Sequence, residues 1–392
     1  MSGKNKQNSI LERWEIDAKA YKNGAKNFIS IPQCETCTNY IRGNVLHCQC
    51  YYCEQKPRYV LFPEKECNLY NNNTPINLKI ENDKENKIYG GLFGFCIGDV
   101  LGVPVEFSLR EDRKRDPVME MRAYGTYHQP FGTWSDDTSL TICLIDAFNK
   151  GYSIKKVAEN FVNYFEKGYF TPYGEVFDIV NSTKDAILKL SSGINPVDCG
   201  GTLDTDNGNG SLMRILPIAF WGQKLSDREL IKVVEEVSSL THGHQRSKLA
   251  CIFYVEFVIQ LLLEKDKKEA LDITIDFIQK HCDDSYSYEF KNLRRILEKH
   301  IIYLTEDEIN STGYVVDTLE AVLWTFFHTE NYRDTILKAI NLGGDTDTIA
   351  AIVGGIAGVY YGFNDIPNNW VQSIAKKEEL HQMFKHFVTC IQ

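Results

Sequence analysis

Apolar residues recur at helical spacing along most of the chain. One stripe follows the 3.6-residue period between Ser153 and Gly168, at Ile154, Val157, Ala158, Phe161 and Phe165. A capping box, Ser-Asp-Arg-Glu at 226–229, precedes a second stripe over residues 230–240. Other apolar stretches typical of helices span 140–148, 315–328 and 346–361. Convincing alternating strands are hard to find, so the pattern predicts an all-α, compact multi-helix domain.

A different pattern occupies the first 87 residues. Six of the 12 Cys residues lie between Cys34 and Cys67. Residues 68–87 are rich in Asn and lack strong periodicity, which is typical of a polar linker. We therefore predict a Cys-rich module (1–67), an Asn-rich linker (68–87) and a large helical domain (88–392).

The Cys cluster has spacings that suit zinc. It reads C-x2-C, then C-x-C-x2-C, then one more Cys. Close thiolate pairs can bind a tetrahedral zinc ion at about 2.3 Å, and in a cytosolic chain such spacing favours metal over disulfides. We predict a structural Zn²⁺ ion held by Cys34, Cys37, Cys53 and Cys67. If one of these four is not a ligand, Cys50 is the first substitute. A disulfide or redox role, or chance spacing, is the alternative. The six scattered Cys residues are expected to be buried thiols.

Composition narrows the classes of function. The 392-residue chain has a formal net charge of -10 and a sequence pI of about 5.5. This acidity argues against a general nucleic-acid binder and against attachment to an anionic membrane. No uninterrupted apolar run reaches the roughly 18–20 residues of a spanning helix, and the N-terminus lacks the apolar core of a signal peptide. We expect a soluble cytoplasmic protein.

Two dense acidic segments each stand just before a predicted helix. Their oxygen-bearing side chains are Ser135, Asp136 and Asp137 in the first, and Asp345, Asp347 and Thr348 in the second. Helix capping explains one such motif alone. Like charges within about 4 Å repel by roughly 1–4 kcal/mol per pair, however, and a bound cation removes that cost. All-oxygen ligands favour Mg, Mn or Ca.

Two further segments are candidate binding elements. Residues 206–214 carry Gly208, Gly210 and Ser211 ahead of an apolar helix, so their backbone N–H groups could hold a phosphate. An ordinary turn is the alternative. Glu106 follows a Pro in an apolar stretch, either as a surface residue or as a carboxylate aimed into a cleft.

Taken together, these segments resemble the ADP-ribosylglycohydrolase family, which includes ADP-ribosylarginine hydrolases and the dinitrogenase reductase-activating glycohydrolase. The matching runs follow the family's order from about residue 88 to about residue 370: GGLFGFCIGDVLGVPVEF, GTWSDDTSL, GNGSLMRILPIAF, THGH, YVVDTLEAVLWTFF and AINLGGDTDTIAAIVGGIAGVYYG. The Cys-rich module lies outside the resemblance.

The resemblance implies an all-α fold with two Mg²⁺ or Mn²⁺ ions at the mouth of a cleft. By the family's pattern, the metal ligands are Ser135, Asp136, Asp137, Asp345, Asp347 and Thr348. The diphosphate and ribose of the substrate are expected at Asn209, Gly210, Ser211 and Met213. His242 matches a family His near the adenosine end, and a buried structural His is the alternative.

Two carboxylates are the catalytic candidates by resemblance. Glu106 matches a family Glu near the metals that takes part in ligand binding or catalysis in some members. Asp178 matches a carboxylate that is catalytic in the nitrogenase-regulating branch, where a Gly usually stands at the position of Val180. This departure leaves the role of Asp178 open, and it predicts that Asp178→Asn is milder than Glu106→Gln.

The implied reaction is hydrolysis of an N- or O-glycosidic bond between ribose and a protein side chain, which reverses ADP-ribosylation. The expected substrate is an ADP-ribosylated protein or small molecule, and the Cys-rich module is a candidate for binding a protein partner. Two alternatives stay open. One is an inactive ADP-ribose-binding or toxin-neutralising module, and the other is a hydrolase of a different nucleotide-like substrate.

Overall fold

The structure is a computed structural model that describes residues 78–392 together with Cys37, Cys48, Lys56 and Ile76. Within these residues the chain forms α-helices and short 3₁₀ turns, with isolated β-bridges but no strand. The helices are α1 (Asp83–Gly102), α2 (Arg110–Arg115), α3 (Asp136–Asn149), α4 (Ile154–Lys167), α5 (Asn181–Ser191), α6 (Pro217–Trp221), α7 (Asp227–Ser239), α8 (Gln245–Leu262), α9 (Lys267–Tyr286), α10 (Arg294–Leu297), α11 (Val315–Phe327), α12 (Tyr332–Asn341), α13 (Thr346–Tyr361), α14 (Asn368–Ser373) and α15 (Lys377–Ile391). The predicted all-α domain is confirmed.

Several predicted helix ends are observed as well. The Ser153 hydroxyl accepts a hydrogen bond from the Lys156 N–H at the start of α4, and Gly168 ends that helix with a φ of 65°. Ser226 and Glu229 form the predicted capping box of α7. Short-range capping is readable from sequence because both partners lie within one helical turn.

Helices α1 and α13 pack backbone to backbone at the centre of the domain. Gly90, Gly94, Gly98 and Gly102 repeat every four residues along the contacting face of α1. A Cβ atom at Gly98 would lie 2.0 Å from the carbonyl oxygen of Ala350, which is closer than real Cβ contacts allow. Because the chain order of the contacts runs in opposite directions, the C-terminal end of α1 lies beside the N-terminal end of α13.

Helix α1 accounts for one feature that composition alone leaves ambiguous. The stretch Asp83–Val105 is long and apolar enough to cross a membrane by length and composition, but 94% of its apolar window is buried inside the protein. Its apolar residues pack against other helices of the same chain, as expected of a core helix.

Of the predicted Cys-rich module and linker, the structure describes mainly the end that adjoins the helical domain. Helix α1 begins at Asp83, inside the predicted linker, because the Asn82 side chain accepts a hydrogen bond from the Glu85 N–H and caps the helix. Upstream, the backbone of Ile76 exchanges two hydrogen bonds with the Gln372 side chain, at 3.0 and 3.1 Å.

The zinc site and the module that holds it stay predictions. Cys34, Cys50, Cys53 and Cys67 lie outside the described residues, whereas Cys37 is described and buried. Five of the six scattered Cys residues are buried as expected, namely Cys96, Cys143, Cys199, Cys251 and Cys282. Cys390 differs, since it is exposed near the end of α15.

Candidate active site

The two acidic segments meet in the interior of the domain. Helices α3 and α13 both begin beside the C-terminal end of α1, and their first turns face one another. The Thr348 hydroxyl donates to Oδ2 of Asp137 at 3.2 Å, and the Ser135 hydroxyl donates to the same atom at 3.3 Å. All six predicted metal ligands are buried, and the structure brings them together.

A carboxylate that was not predicted from the sequence, Asp99, holds the first acidic segment in place. Asp99 of α1 accepts hydrogen bonds from the backbone N–H groups of Ser135 at 3.0 Å and Thr138 at 3.1 Å, and so caps α3 from another helix. Its carboxylate also lies within 4.8 Å of ligand atoms of Asp137 and Asp347. Burial raises the pKa of Asp99 to about 6. The sequence feature that could have revealed Asp99 is that it is a single acidic residue within the apolar run of α1.

A second carboxylate group lies beside the first and contains unsatisfied oxygens. Ligand atoms of Glu106, Asp345 and Asp347 all lie within 4.8 Å of one another. The Asn209 amide donates to Oδ2 of Asp345 at 2.7 Å. Oε2 of Glu106 and Oδ1 of Asp345 are buried and have no hydrogen-bond partner in the structure. Buried polar atoms are normally paired, so these two oxygens mark a place for a ligand.

The electrostatics of the cluster favour a cation as its ligand. Burial, followed by the charges of Asp178 and Asp345, raises the pKa of Glu106 to about 10. Burial and neighbouring carboxylates likewise hold the pKa values of Asp136, Asp137 and Asp347 well above their ordinary range. The cluster of oxygen ligands therefore suits a hard divalent cation.

The buried Arg214 side chain forms no ion pair with the carboxylates of the cluster. The Arg214 guanidinium donates to the backbone carbonyl oxygens of Gly210 and Val237, and its ring-facing side lies over Phe161. Its side chain is therefore committed to holding the 208–210 loop and α7 rather than to pairing with a carboxylate. The negative charge of the cluster is left for a ligand to balance.

A pocket of about 180 Å³ opens above these carboxylates. Its lining includes the carboxylates of Glu106, Asp136, Asp178 and Asp345. The 208–210 loop and Met213 line it as well. Asn209, Gly210 and Met213, three of the predicted substrate-binding residues, therefore line the pocket. Ser211 does not line the pocket, because its hydroxyl is buried 3.4 Å from Sγ of Cys251.

His242 lies behind the 208–210 loop rather than in the pocket. Its Nδ1 atom pairs with the Thr241 hydroxyl at 2.7 Å, and a Cβ atom at Gly210 would lie 2.8 Å from its Cε1 atom. Burial, followed by the charge of Arg214, lowers the pKa of His242 to about 3, so the ring is neutral. This placement matches the alternative of a buried structural His that supports the loop.

Asp178 is held in a strained conformation at the pocket wall. Its φ angle is 60°, and its Oδ1 atom accepts a hydrogen bond from the Tyr127 hydroxyl. Val180, where the family pattern has Gly, has φ -67° and ψ 150°, which any residue can adopt. The Val side chain therefore imposes no backbone strain at its own position. Tyr127 carried no motif and was missed in the sequence.

Comparison with known proteins identifies the family. The model of the family described as ADP-ribosylglycohydrolase matches residues 80–392. The chain belongs to the ADP-ribosylglycohydrolase family. Enzymes of this family hydrolyse glycosidic bonds of ADP-ribose, and this ADP-ribosylglycohydrolase is therefore a hydrolase.

Individual relatives agree with this assignment. An ADP-ribosylarginine hydrolase, Tri1, of Serratia proteamaculans is 30% identical over 79% of this chain and 81% of its own length. An ADP-ribosyl-[dinitrogen reductase] glycohydrolase of Rhodospirillum rubrum is 26% identical over 74% of this chain and 90% of its own. A solved structure described as an ADP-ribosylglycohydrolase-related protein complex has a TM-score of 0.63 at 24% identity. The match covers 79% of the present chain and 99% of the solved chain, which supports the fold assignment.

Proposed function

We propose that the chain is a metal-dependent hydrolase that removes ADP-ribose from modified arginine side chains of proteins. The observation that carries the proposal is the buried group of Glu106, Asp345 and Asp347, with its partnerless oxygens at the wall of the pocket. Without cations, this negative charge would repel the diphosphate of ADP-ribose. Bound cations would neutralise the carboxylates and so remove that repulsion.

Two Mg²⁺ or Mn²⁺ ions fit this donor set, since it contains carboxylate and hydroxyl oxygens only. The residues that would hold them are Ser135, Asp136, Asp137, Asp345, Asp347 and Thr348. When bound, such ions neutralise the carboxylates, polarise ribose hydroxyls and lower the pKa of a coordinated water. Asp99 orients the first ligand segment through its bonds to the α3 backbone.

The 208–210 loop and Met213 are proposed to hold the diphosphate and ribose. Gly210 leaves room for the loop to rest on the imidazole of His242, and the Asn209 amide links the loop to Asp345. The loop position is thereby coupled to the metal site. A substrate held at the diphosphate is oriented at its anomeric carbon, which lowers the entropic part of the barrier.

The proton transfers are assigned to Glu106 and Asp178, which both line the pocket. As the bond from the anomeric carbon to the side-chain nitrogen breaks, the ribose gains oxocarbenium character. The oxygen of a water molecule bonds to that carbon, one of the two carboxylates accepts the water's proton, and the other carboxyl group, in its protonated form, donates a proton to the leaving nitrogen. The products are free ADP-ribose and an unmodified arginine.

The choice of acceptor rests on the relatives. Two of them, 30% and 32% identical, are named ADP-ribosylarginine hydrolase. A comparison of proteins carrying ADP-ribose on Arg or on Ser tests this choice directly. We expect ADP-ribose release from the Arg-linked protein at least about tenfold faster. Equal rates, or faster release from the Ser-linked protein, would contradict the arginine assignment while leaving the hydrolase in place.

A further inference from the structure

A short loop, residues 124–129, contacts the backbone of Glu106 and the carboxylate of Asp178. The N–H of Tyr124 donates to the carbonyl oxygen of Gln129 at 2.7 Å and closes the loop. The Thr126 hydroxyl donates to the backbone carbonyl oxygen of Glu106 at 2.8 Å. The next residue, Tyr127, donates its hydroxyl to Oδ1 of Asp178. One loop therefore contacts both segments that carry the candidate catalytic carboxylates, at the backbone of Glu106 and at the side chain of Asp178.

The backbone around this loop is strained. Non-glycine residues with positive φ angles include Tyr124 at 66° and His128 at 53° within the loop. Phe107, next to Glu106, and Asp178 itself have φ angles of 60°. Side chains disfavour this conformation, and such strain persists where surrounding contacts impose it, most often at functional sites.

Close packing fixes the loop against the Glu106 segment. A Cβ atom at Gly125 would lie 1.8 Å from the carbonyl oxygen of Pro104, so the loop backbone rests directly on the turn that precedes Glu106. The Tyr127 ring packs against Phe177, with ring centroids 5.4 Å apart. The tyrosine ring is thus held by packing, while its hydroxyl donates to Asp178 and also interacts with the Glu106 carboxylate.

We propose that Tyr127 is a positioning residue of the hydrolytic site, which fixes the Asp178 carboxylate so that it faces the pocket. The proposal rests on the function proposed above. Because the phenol holds Oδ1, the orientation of the carboxylate is fixed, and its other oxygen stays available on the side of the pocket. Burial, followed by the interaction with Asp178, raises the pKa of Tyr127, so the phenol stays a donor.

The test is Tyr127→Phe, which removes the hydroxyl and keeps the ring that packs on Phe177. We expect kcat for ADP-ribosylarginine hydrolysis to fall about tenfold, with KM, the Kd for ADP-ribose and the Tm close to those of the wild type. Tyr169→Phe, at a half-exposed tyrosine outside the pocket, is the matched control and should retain wild-type kcat.

A double variant shows whether Tyr127 acts through Asp178. Adding Tyr127→Phe to Asp178→Asn should lower kcat no further than Asp178→Asn alone, because residues that act as a unit are non-additive. A full additional tenfold loss would overturn the proposal. So would a Tyr127→Phe enzyme with wild-type kcat, or one whose loss of kcat is matched by an equal rise in KM and a lower Tm.

A structural measurement keeps the proposal testable if the assumed substrate is wrong. In a crystal structure of the full-length Tyr127→Phe protein, we expect the Asp178 side chain to leave its wild-type rotamer. An unchanged Asp178 carboxylate would overturn the positioning role even without turnover. Failure of the wild-type enzyme to release ADP-ribose would instead count against the proposed function, so the two failures are distinguishable.

Discussion

Gly102 of α1 lies so close to Asp347 of α13 that a Cβ atom on the glycine would be 2.3 Å from the Cα atom of the aspartate. The backbone approach of these two helices thereby fixes the position of a proposed metal ligand. The carboxylate cluster is rigid because it is built on a helix–helix contact rather than on loops alone.

The α1–α13 contact predicts that Gly98→Ala destabilises the protein. The added methyl group would meet the Ala350 carbonyl at 2.0 Å, and the helices must separate to admit it. Overpacking of this kind costs about 1–3 kcal/mol of unfolding free energy. Thermal unfolding with and without Mn²⁺ checks the effect. Gly193→Ala is the comparison variant. Its new methyl group would have open space around it, so only the left-handed φ of 86° disfavours that substitution. A smaller loss at Gly98 than at Gly193 would contradict the packing argument.

The acidic cluster predicts that cations stabilise the protein more at higher pH. Burial raises the pKa of Asp99 to about 6, and burial with the charges of Asp178 and Asp345 raises that of Glu106 to about 10. Because these folded-state pKa values lie above the unfolded values, the contribution of these two groups to the stability of the metal-free protein is fully present at low pH. That contribution to the unfolding free energy falls as pH rises from about 4 through these values.

Bound cations remove that loss, because metal ligands must be deprotonated. We therefore expect the rise in Tm on adding Mg²⁺ or Mn²⁺ to be larger at pH 8 than at pH 6, measured by thermal unfolding at constant ionic strength. A rise that is equal at both pH values, or larger at pH 6, is the contrary result.

Glu106 and Asp178 are both predicted to be essential for turnover. Substitution of a general acid or base typically costs at least about 10²-fold, so Glu106→Gln should lower kcat by that factor. The sequence argued for a milder effect at Asp178 because Val180 replaces a Gly. The structure answers only the backbone part of that reason, since Val180 has an ordinary backbone conformation while its side chain lines the pocket. Because Asp178 itself lines the pocket and is held by Tyr127, we expect a comparable loss for Asp178→Asn. Glu175→Gln, at an exposed carboxylate on the same segment, should stay within about twofold of the wild type.

The fold was more readable from the sequence than the site. Capping residues such as Ser153 and Ser226 act within one turn, so local pattern finds them. Asp99 bonds to the N-cap of α3, Ser135, which lies 36 residues later, and Tyr127 contacts Asp178 across 51 residues. Contacts of that kind depend on how helices pack, which neither periodicity nor capping encodes.

A sequence motif also does not tell which of its residues face the pocket and which face the protein interior. Ser211 and His242 belong to family motifs, yet both are buried away from the pocket, whereas Asn209 and Met213 line it. Glycine at 208 and 210 was interpreted as room for a phosphate. The structure shows a second reason, because Gly210 is also where the imidazole of His242 packs.

The Cys-rich module predicts one Zn²⁺ ion per full-length chain. Elemental analysis of the purified protein should find zinc at a 1:1 ratio, and Cys34→Ser should lower it, because loss of one thiolate weakens a tetrahedral site. Cys390→Ser, at an exposed thiol in α15, is the matched control and should retain the metal. A zinc content unchanged by Cys34→Ser, or absent from the wild type, would contradict the predicted site.

The most direct measurement is ADP-ribose release from an ADP-ribosylarginine protein, followed with Mg²⁺ or Mn²⁺ and after chelation. Turnover should require the cation. Asp136→Ala and Asp347→Ala should remove most of it while leaving the chain folded, whereas Asp185→Ala, at an exposed carboxylate of α5, should retain it. Near wild-type turnover by Asp136→Ala and Asp347→Ala in metal-free buffer would contradict the assignment of these buried carboxylates as metal ligands.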